Sequence, residues 1–343
     1  MARRSGVSTA TVSRVMQNAS GYSSATRDRV LAIAAEIGWL PSGSARSLAK
    51  RRSGIVGVLF PDLDAGGDAE AESPLYVDQV IRGAERAATA AGDALLIAAT
   101  RGSSGHDLAM SVAGKVDGLV IVARALPDDD VASLGRRLPV VVLSDRSGRR
   151  TNVDSVSVDN RGGMRALTEH VVHEHGLRRV GFVGGPRVSP DSQERFAGYR
   201  EALRTAKLPV PRTPDVIGDF TDAGGARAAR KLLDRGELPE AIVCGNDEMA
   251  LGVLRTLIAA KVRVPADVAV TGFDNLAVAD HLRPPLTTVG QPMRDLGAAA
   301  VHAVLTRLGS EDATRQSVVL PTRLVVRRSC GCRTTALNGR KTA

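Results

Sequence analysis

The chain has 343 residues, 43% of them hydrophobic and 24% charged, with few aromatics, an ordinary balance for a folded chain of two or three compact units. It contains no apolar run near the ~20 residues of a membrane span and no apolar leader stretch at its start. Its three cysteines, Cys244, Cys330 and Cys332, are too few for a disulfide scaffold, so a cytoplasmic protein is expected. The net charge of +9 is uneven. Residues 1–52 carry nine Lys/Arg against Asp28 and Glu36, and residues 327–343 carry five basic residues and no acid. A basic head on a near-neutral body points to a polyanionic partner at one end.

The first informative stretch is Gly6-Val7-Ser8-Thr9-Ala10-Thr11-Val12-Ser13-Arg14-Val15-Met16. Ser8 reads as an N-cap, its hydroxyl accepting from a backbone N–H of the first turn. Gly6 permits a sharp entry from a preceding helix. Val12, Val15 and Met16 fall on one face at helical spacing. Thr9, Ala10, Ser13, Arg14 and Gln17 occupy the opposite, polar face. Such a helix either enters the major groove of DNA, where Arg14 pairs with a guanine edge, or is a surface helix with an ordinary polar face. Met1 to Ser5 read as the end of a longer first helix, so a truncated first helix is expected. A third helix runs from about Ser24 to Ile37, with Val30, Ile33, Ala34 and Ile37 inward and Arg27 and Arg29 placed for phosphates.

Residues 42–53 form a joint. Pro41 stops the helix, and the segment Ala45 to Lys50 is too short to be a stable helix alone in water. It folds on contact with DNA or is a plain basic linker. From Gly54 onward apolar strand-like runs alternate with helical stretches. The strands are expected at 55–60, 94–99, 118–122 and 140–143, then at 180–184, 216–218, 241–244 and 268–272. Helices are expected near 76–91, 160–174, 190–206, 222–235 and 247–260. Two such series imply two doubly wound parallel sheets, covered on both faces. Their ligands bind outside the carboxyl ends of the strands.

That rule selects Asp62 and Tyr76 after the first strand, Ser189, Asp191 and Arg195 after the 180–184 strand, and Asp219 and Phe220 after the next. Asn246, Asp247, Asp274 and Asn275 follow the last two strands. Carboxylates, amides, one guanidinium and an aromatic ring offer the donors and acceptors that a sugar's hydroxyls need. Asp and Asn at strand ends equally serve as helix caps, but convergence from four strands favours a cleft. An acidic, Gly-rich insert occupies 64–72.

Other motifs carry less. His170, His173 and His175 lie on one helix, whose geometry scatters them over different faces, so no metal site is expected. Cys330-Gly331-Cys332 lies in a basic tail with no partnering Cys/His pair and reads as a surface or redox-incidental feature. Gly184-Gly185 lacks the spacing of a dinucleotide fingerprint, and no nucleophile elbow or phosphate-binding loop appears, so no catalytic residues and no cofactor are assigned.

The head stretch, with Ser23-Ser24-Ala25-Thr26-Arg27, Gly38-Trp39-Leu40-Pro41 and Ala45-Arg46-Ser47-Leu48-Ala49, closely resembles LacI/GalR-type transcriptional repressors. So do, further on, Val158-Asp159-Asn160, Glu194-Arg195-Phe196-Ala197-Gly198-Tyr199, Asn246-Asp247, Gly272-Phe273-Asp274-Asn275 and Pro285-Leu286-Thr287-Thr288-Val289. The resemblance implies an α/β protein with a small all-α helix-turn-helix head, at 1–41, and two periplasmic-binding-protein type I-like subdomains in 54–326. The first subdomain is expected at 54–153 plus 285–309 and the second at 154–284 plus 310–326, before a basic tail at 327–343. The DNA-contacting set is then Ser8, Thr9, Ala10, Thr11, Ser13, Arg14, Gln17 and Thr26. In the joint, Ala45 and Leu48 join it as parts of a hinge helix, with Leu48 the apolar wedge in the minor groove. The effector set is Arg195, Phe220, Asn246 and Asp274, with Tyr76 and Ser189.

The expected function is repression of transcription by a homodimer on double-stranded operator DNA, tuned by a small molecule, most simply a sugar. Whether the effector is an inducer or a corepressor is left open. The competing expectations are a cytoplasmic ligand-binding protein without DNA function and an α/β enzyme, for which no acid/base or nucleophile constellation is found.

Overall fold

The structure, a computed structural model, describes residues 1–16, 20–39, 52–61, 73–100, 105–144, 153–310 and 315–332. Gln17, most of the joint with Ala45 and Leu48, the 64–72 insert and the tail beyond Cys332 lie outside the described residues. The chain divides into two compact units, Met1–Gly54 and Ile55–Ala343.

Among the described residues the first unit holds three helices, α1 (Ala2–Ser5), α2 (Thr9–Met16) and α3 (Ser24–Glu36). Gly6 closes α1 with φ 66, a left-handed turn that costs glycine no Cβ clash. The Ser8 hydroxyl accepts from the Thr11 N–H at 3.0 Å, and Ser23 does the same for Thr26 at 3.3 Å, so both later helices begin on serine caps. Val15, Val30 and Ala34 are buried. The expectation for Ile37 fails: α3 stops at Glu36, and Ile37 becomes its C-cap with 38% of its surface exposed.

The second unit alternates strands and helices: β1 (Ile55–Pro61), α4 (Pro74–Ala90), β2 (Ala94–Thr100), α5 (Gly105–Ala113), β3 (Gly118–Val122), α6 (Asp128–Gly135), β4 (Val140–Leu143) and β5 (Asp154–Val158). It continues with α7 (Asn160–His173), β6 (Val180–Gly184), α8 (Pro190–Thr205), β7 (Val216–Ile217), α9 (Asp222–Leu233), β8 (Ala241–Cys244), α10 (Asp247–Ala259) and β9 (Ala269–Thr271). The last elements among the described residues are β10 (Thr288–Gly290), α11 (Met293–Gly309), β11 (Ser317–Leu320) and β12 (Arg323–Val325). Among the described residues no helix is long and apolar enough to cross a membrane.

Two parallel sheets result, in the orders β11-β5-β4-β3-β1-β2 and β7-β6-β8-β9. Side chains alternate across each strand, and here both faces are apolar. Val56, Val58, Val120 and Val141 pack toward α4 and α11, whereas Leu59, Leu119, Ile121 and Val142 pack toward α5 and α6. In the second sheet Ile242 and Cys244 meet α9 and α10, while Phe182 and Val243 meet α7 and α8. Helices on both faces are what such unbroken apolar strands require.

The subdomain bounds differ from the sequence expectation at two places. β5 pairs with β4 through Val141↔Asp154, and β11 pairs with β5, so 154–158 and 317–320 belong to the six-stranded sheet rather than to the second subdomain. The chain leaves the first sheet only after Val158. β10 and β12 form a separate antiparallel pair, Thr288↔Val325 to Gly290↔Arg323. That pair is joined to the second sheet by bridges from Thr271 to Thr287 and from Asp274 to Gly290.

Candidate functional site

A cleft opens where the strand-end rule places it. It is lined by Arg195 and Asp191 from α8, Phe220 after β7, Asn246 after β8 and Asp274 after β9, with Ser73, Tyr76 and Gln291 from beyond β1 and β10. Arg195 is its electrostatic centre. The guanidinium lies 3.9 Å from the centroid of the Phe273 ring and donates to Asn160 Oδ1 at 2.8 Å and to the Gly245 carbonyl at 2.7 Å. Its Nη1 is also 3.4 Å from Asp274 Oδ1, with both side chains under 5% exposed. A planar guanidinium suits such a buried, forked and ring-stacked position better than an ammonium does.

The acids around it are held by hydrogen bonds. Gln291 Nε2 donates to Asp274 Oδ1 at 2.6 Å. Ser144 Oγ and Asn160 Nδ2 donate to the two oxygens of Asp191 at 2.9 and 2.7 Å. Burial pushes both carboxyls above the usual range, and the Arg195 charge opposes this. Behind them, Asp247 accepts from Thr288 Oγ1 at 2.6 Å and from the Leu276 N–H at 2.8 Å. Burial still raises its carboxyl to about 7.

The aromatic wall is built by backbone geometry. Phe220 has φ 66, uncommon for a bulky residue. A Cβ on Gly185 would stand 2.2 Å from its Cε1, so the ring occupies space that only glycine leaves. Asn246 is held at both ends of its amide: its Nδ2 donates to the Phe220 carbonyl at 2.9 Å and its Oδ1 accepts from the Met249 N–H at 3.0 Å. It therefore caps α10 and fixes Phe220 at once.

In the head unit, Thr9, Ala10, Ser13 and Arg14 lie exposed on α2, and Arg27 and Arg29 are exposed on α3. Thr11 and Thr26 are half-buried, with hydroxyls 2.9 and 3.0 Å from Ser8 Oγ and Ser23 Oγ. Both threonines belong to the caps as well as to the candidate surface.

Residues 1–42 match the family model for bacterial regulatory proteins of the lacI family, and residues 169–330 match that for a periplasmic binding protein-like domain. The transcriptional repressor CytR of Escherichia coli K12 is 30% identical over 336 residues, covering 96% of this chain and 94% of its own. The chain belongs to the LacI family. Two solved structures are similar throughout. The transcriptional regulator CelR–cellobiose complex gives a TM-score of 0.72 at 33% identity, covering 96% of this chain and 98% of that one. The lac repressor dimer bound to operator and the anti-inducer ONPF gives 0.82 at 28% identity, covering 96% and 97%. As a LacI-family member the protein is a DNA-binding transcriptional regulator with a helix-turn-helix head and a periplasmic-binding-protein-like core.

Within this LacI-family core the structure brings Arg195, Phe220, Asn246, Asp274 and Tyr76 onto one cleft. Ser189 is not brought there. Its hydroxyl accepts from the Ser192 N–H at 3.3 Å and caps α8, because it directly precedes Pro190 at the helix start. Asp191, two residues on, takes the cleft-facing position instead. Asp191 follows a strand end but is not in the effector set expected from the sequence, and neither are Ser73 and Gln291. Nothing in their local pattern marks them, since each enters the cleft from a connection into a helix.

Proposed function

We propose that this regulator is a repressor that binds operator DNA as a homodimer in the cytoplasm and acts as a regulator rather than an enzyme. Its operator affinity is set by a small polyhydroxylated molecule, of the sugar class, held in the Arg195–Asp274 cleft. The observation that carries this reading is the composition of that cleft: carboxylates and a guanidinium meet over aromatic rings. A sugar hydroxyl there donates to Asp191 or Asp274 while accepting from Arg195, and its C–H face lies on Phe220. The exposed polar face of α2, with Arg14, reads base edges, and Arg27 and Arg29 contact phosphates. The solved CelR complex with cellobiose and the operator-bound lac repressor dimer are relatives in which these two activities are named.

The test is titration calorimetry of the full chain with cellobiose and a panel of mono- and disaccharides, beside fluorescence anisotropy on its own upstream DNA at stated salt. A sugar that binds and shifts operator affinity supports the reading. Sequence-specific DNA binding that no sugar alters places the effector in another chemical class. A chain that binds sugar but shows no specific DNA binding is a ligand-binding protein.

A further inference from the structure

Away from the cleft, the end of α7 meets the segment that follows β12. We infer that His170, His175, Cys330 and Cys332 form a Cys2His2 site for a zinc-class divalent metal ion, fastening that segment to the second subdomain. The four ligand atoms lie within 4.8 Å of one another. His170 Nε2 is 3.5 Å from Cys330 Sγ and 3.6 Å from Cys332 Sγ, and His175 Nε2 is 3.3 Å from Cys332 Sγ. Tetrahedral zinc, with bonds of about 2.3 Å to sulfur and 2.0 Å to nitrogen, sets each S···N edge at ~3.5 Å. The edges present already have that length. The two imidazoles stand edge to face at 82°, and both Nε2 atoms approach Cys332 Sγ.

The sequence expectation that one helix scatters these histidines holds for His173, which is exposed on α7. It fails for His175. The helix ends at His173 with Glu174 as its cap, so His175 lies past the last turn and comes back beside His170. The pairing of these histidines with the cysteines spans about 160 residues of sequence and has no local signature.

The surroundings fit a closed, structural site. Thr287 Oγ1 donates to Cys330 Sγ at 3.1 Å, the kind of outer contact that orients a thiolate ligand. Gly331 adopts φ 107, and a Cβ there would come within 3.3 Å of His175 Nδ1, so the Cys-Gly-Cys turn needs its glycine. Two thiolates with two neutral imidazoles balance a divalent charge, and thiolate ligands select zinc-class ions over magnesium or calcium. On binding, the two thiol protons leave to solvent. The fastened segment is one that matters: Arg327 reaches Asn275 Oδ1 at 2.7 Å and the Leu286 carbonyl at 2.8 Å, and Ser329 Oγ donates to the Val270 carbonyl at 2.6 Å.

The experiment uses the full chain, reduced and without an affinity tag, loaded with Zn2+ or with Co2+ as a spectroscopic stand-in. Expected are one metal equivalent per chain, the intense visible bands of tetrahedral thiolate-bound Co2+, and a melting temperature raised by metal. The Cys330→Ser/Cys332→Ser double variant should bind none, lose the bands and melt as the metal-free native chain does. His173→Ala should keep all three properties. Failure of the reduced native chain to take up stoichiometric metal overturns the proposal. So does metal retained by the double variant, provided it melts as the metal-free native chain.

Discussion

Replacing Asp274 by Asn tests the cleft most directly, because it removes a charge while keeping the shape. Asp274 has φ 124, and Asn tolerates positive φ better than most residues. The carboxylate stands 3.4 Å from Arg195 Nη1 with both groups buried. At an effective dielectric of about 20, that separation corresponds to about 5 kcal/mol of attraction. Burial of Asp274 opposes much of this, as the upward push on its carboxyl shows. Arg195 also keeps Asn160, the Gly245 carbonyl and the Phe273 ring in the variant. The net loss of stability should therefore be about 1–3 kcal/mol, below the 3–5 typical of a fully orphaned buried charge. The core should stay folded, since domains have about 5–15 kcal/mol to lose. A sugar hydroxyl bonded to a carboxylate contributes about 1.5–3 kcal/mol, so effector affinity should fall ~10–100-fold. Urea unfolding measures the first quantity, and calorimetry with the sugar selected by the panel measures the second. Effector affinity within twofold of native, alongside the expected stability loss, would mean that Asp274 only anchors Arg195, and the cleft assignment would be refuted.

Arg14→Ala should weaken operator binding by ~1–3 kcal/mol through one base pair; anisotropy across single-base operator variants checks it, and uniform weakening would make Arg14 a phosphate contact. Gly185→Ala should displace the Phe220 ring, given the 2.2 Å approach of a Cβ to Cε1. An overpacking loss of about 1–3 kcal/mol is expected, with a clear drop in sugar affinity by calorimetry; unchanged affinity would remove Phe220 from the binding surface. Asp247 is raised by burial from 3.8 to about 7, so the folded chain holds a proton that the unfolded chain releases. Unfolding free energy should thus fall as pH rises between those values, by at most about 1.4 kcal/mol per unit from this group. Asp247→Asn should flatten that part of the urea-derived profile, and an unaltered slope would assign it to other groups.

Much of the core was legible because its strands are unbroken apolar runs. β3, β4, β6 and β8 begin and end where the sequence places them, since their flanks switch abruptly to polar or turn residues. Caps were legible for the same local reason: Ser8 and Asn246 satisfy the helix N–H groups expected of them. β5 and β11 were not, because Asp154-Ser155-Val156-Ser157-Val158 and Ser317–Leu320 are short runs with few apolar residues; they become strands by pairing with each other and with β4. Arg195, Phe220 and Asp274 were readable from the strand-end rule. The same rule offered both Ser189 and Asp191, and only packing decides which faces inward. The His–Cys cluster was hidden twice, by its sequence separation and by a helix end that local pattern placed one residue too late.

In the proposed effector cleft, groups that follow strands of both sheets come together. Tyr76 follows β1 of the six-stranded sheet, whereas Arg195, Phe220, Asn246 and Asp274 follow strands of the other. Gln291 sits between them, at the end of β10 and two residues before α11, and its amide holds Asp274 Oδ1 at 2.6 Å. α11 packs on α4 so closely that a Cβ on Gly297 would stand 2.1 Å from the Val80 carbonyl. Under the proposed reading, a ligand hydroxyl that donates to Asp274 joins Gln291 on a carboxylate that accepts at several sites, and so draws on groups from both sides of the cleft. A ligand shifts an equilibrium only by the difference in its affinity for the two states. A charge-assisted hydrogen bond made in only one subdomain orientation contributes about 1.5–3 kcal/mol, which spans the 1–3 kcal/mol typical of coupling between sites. Operator DNA must then change sugar affinity by the same factor that sugar changes operator affinity.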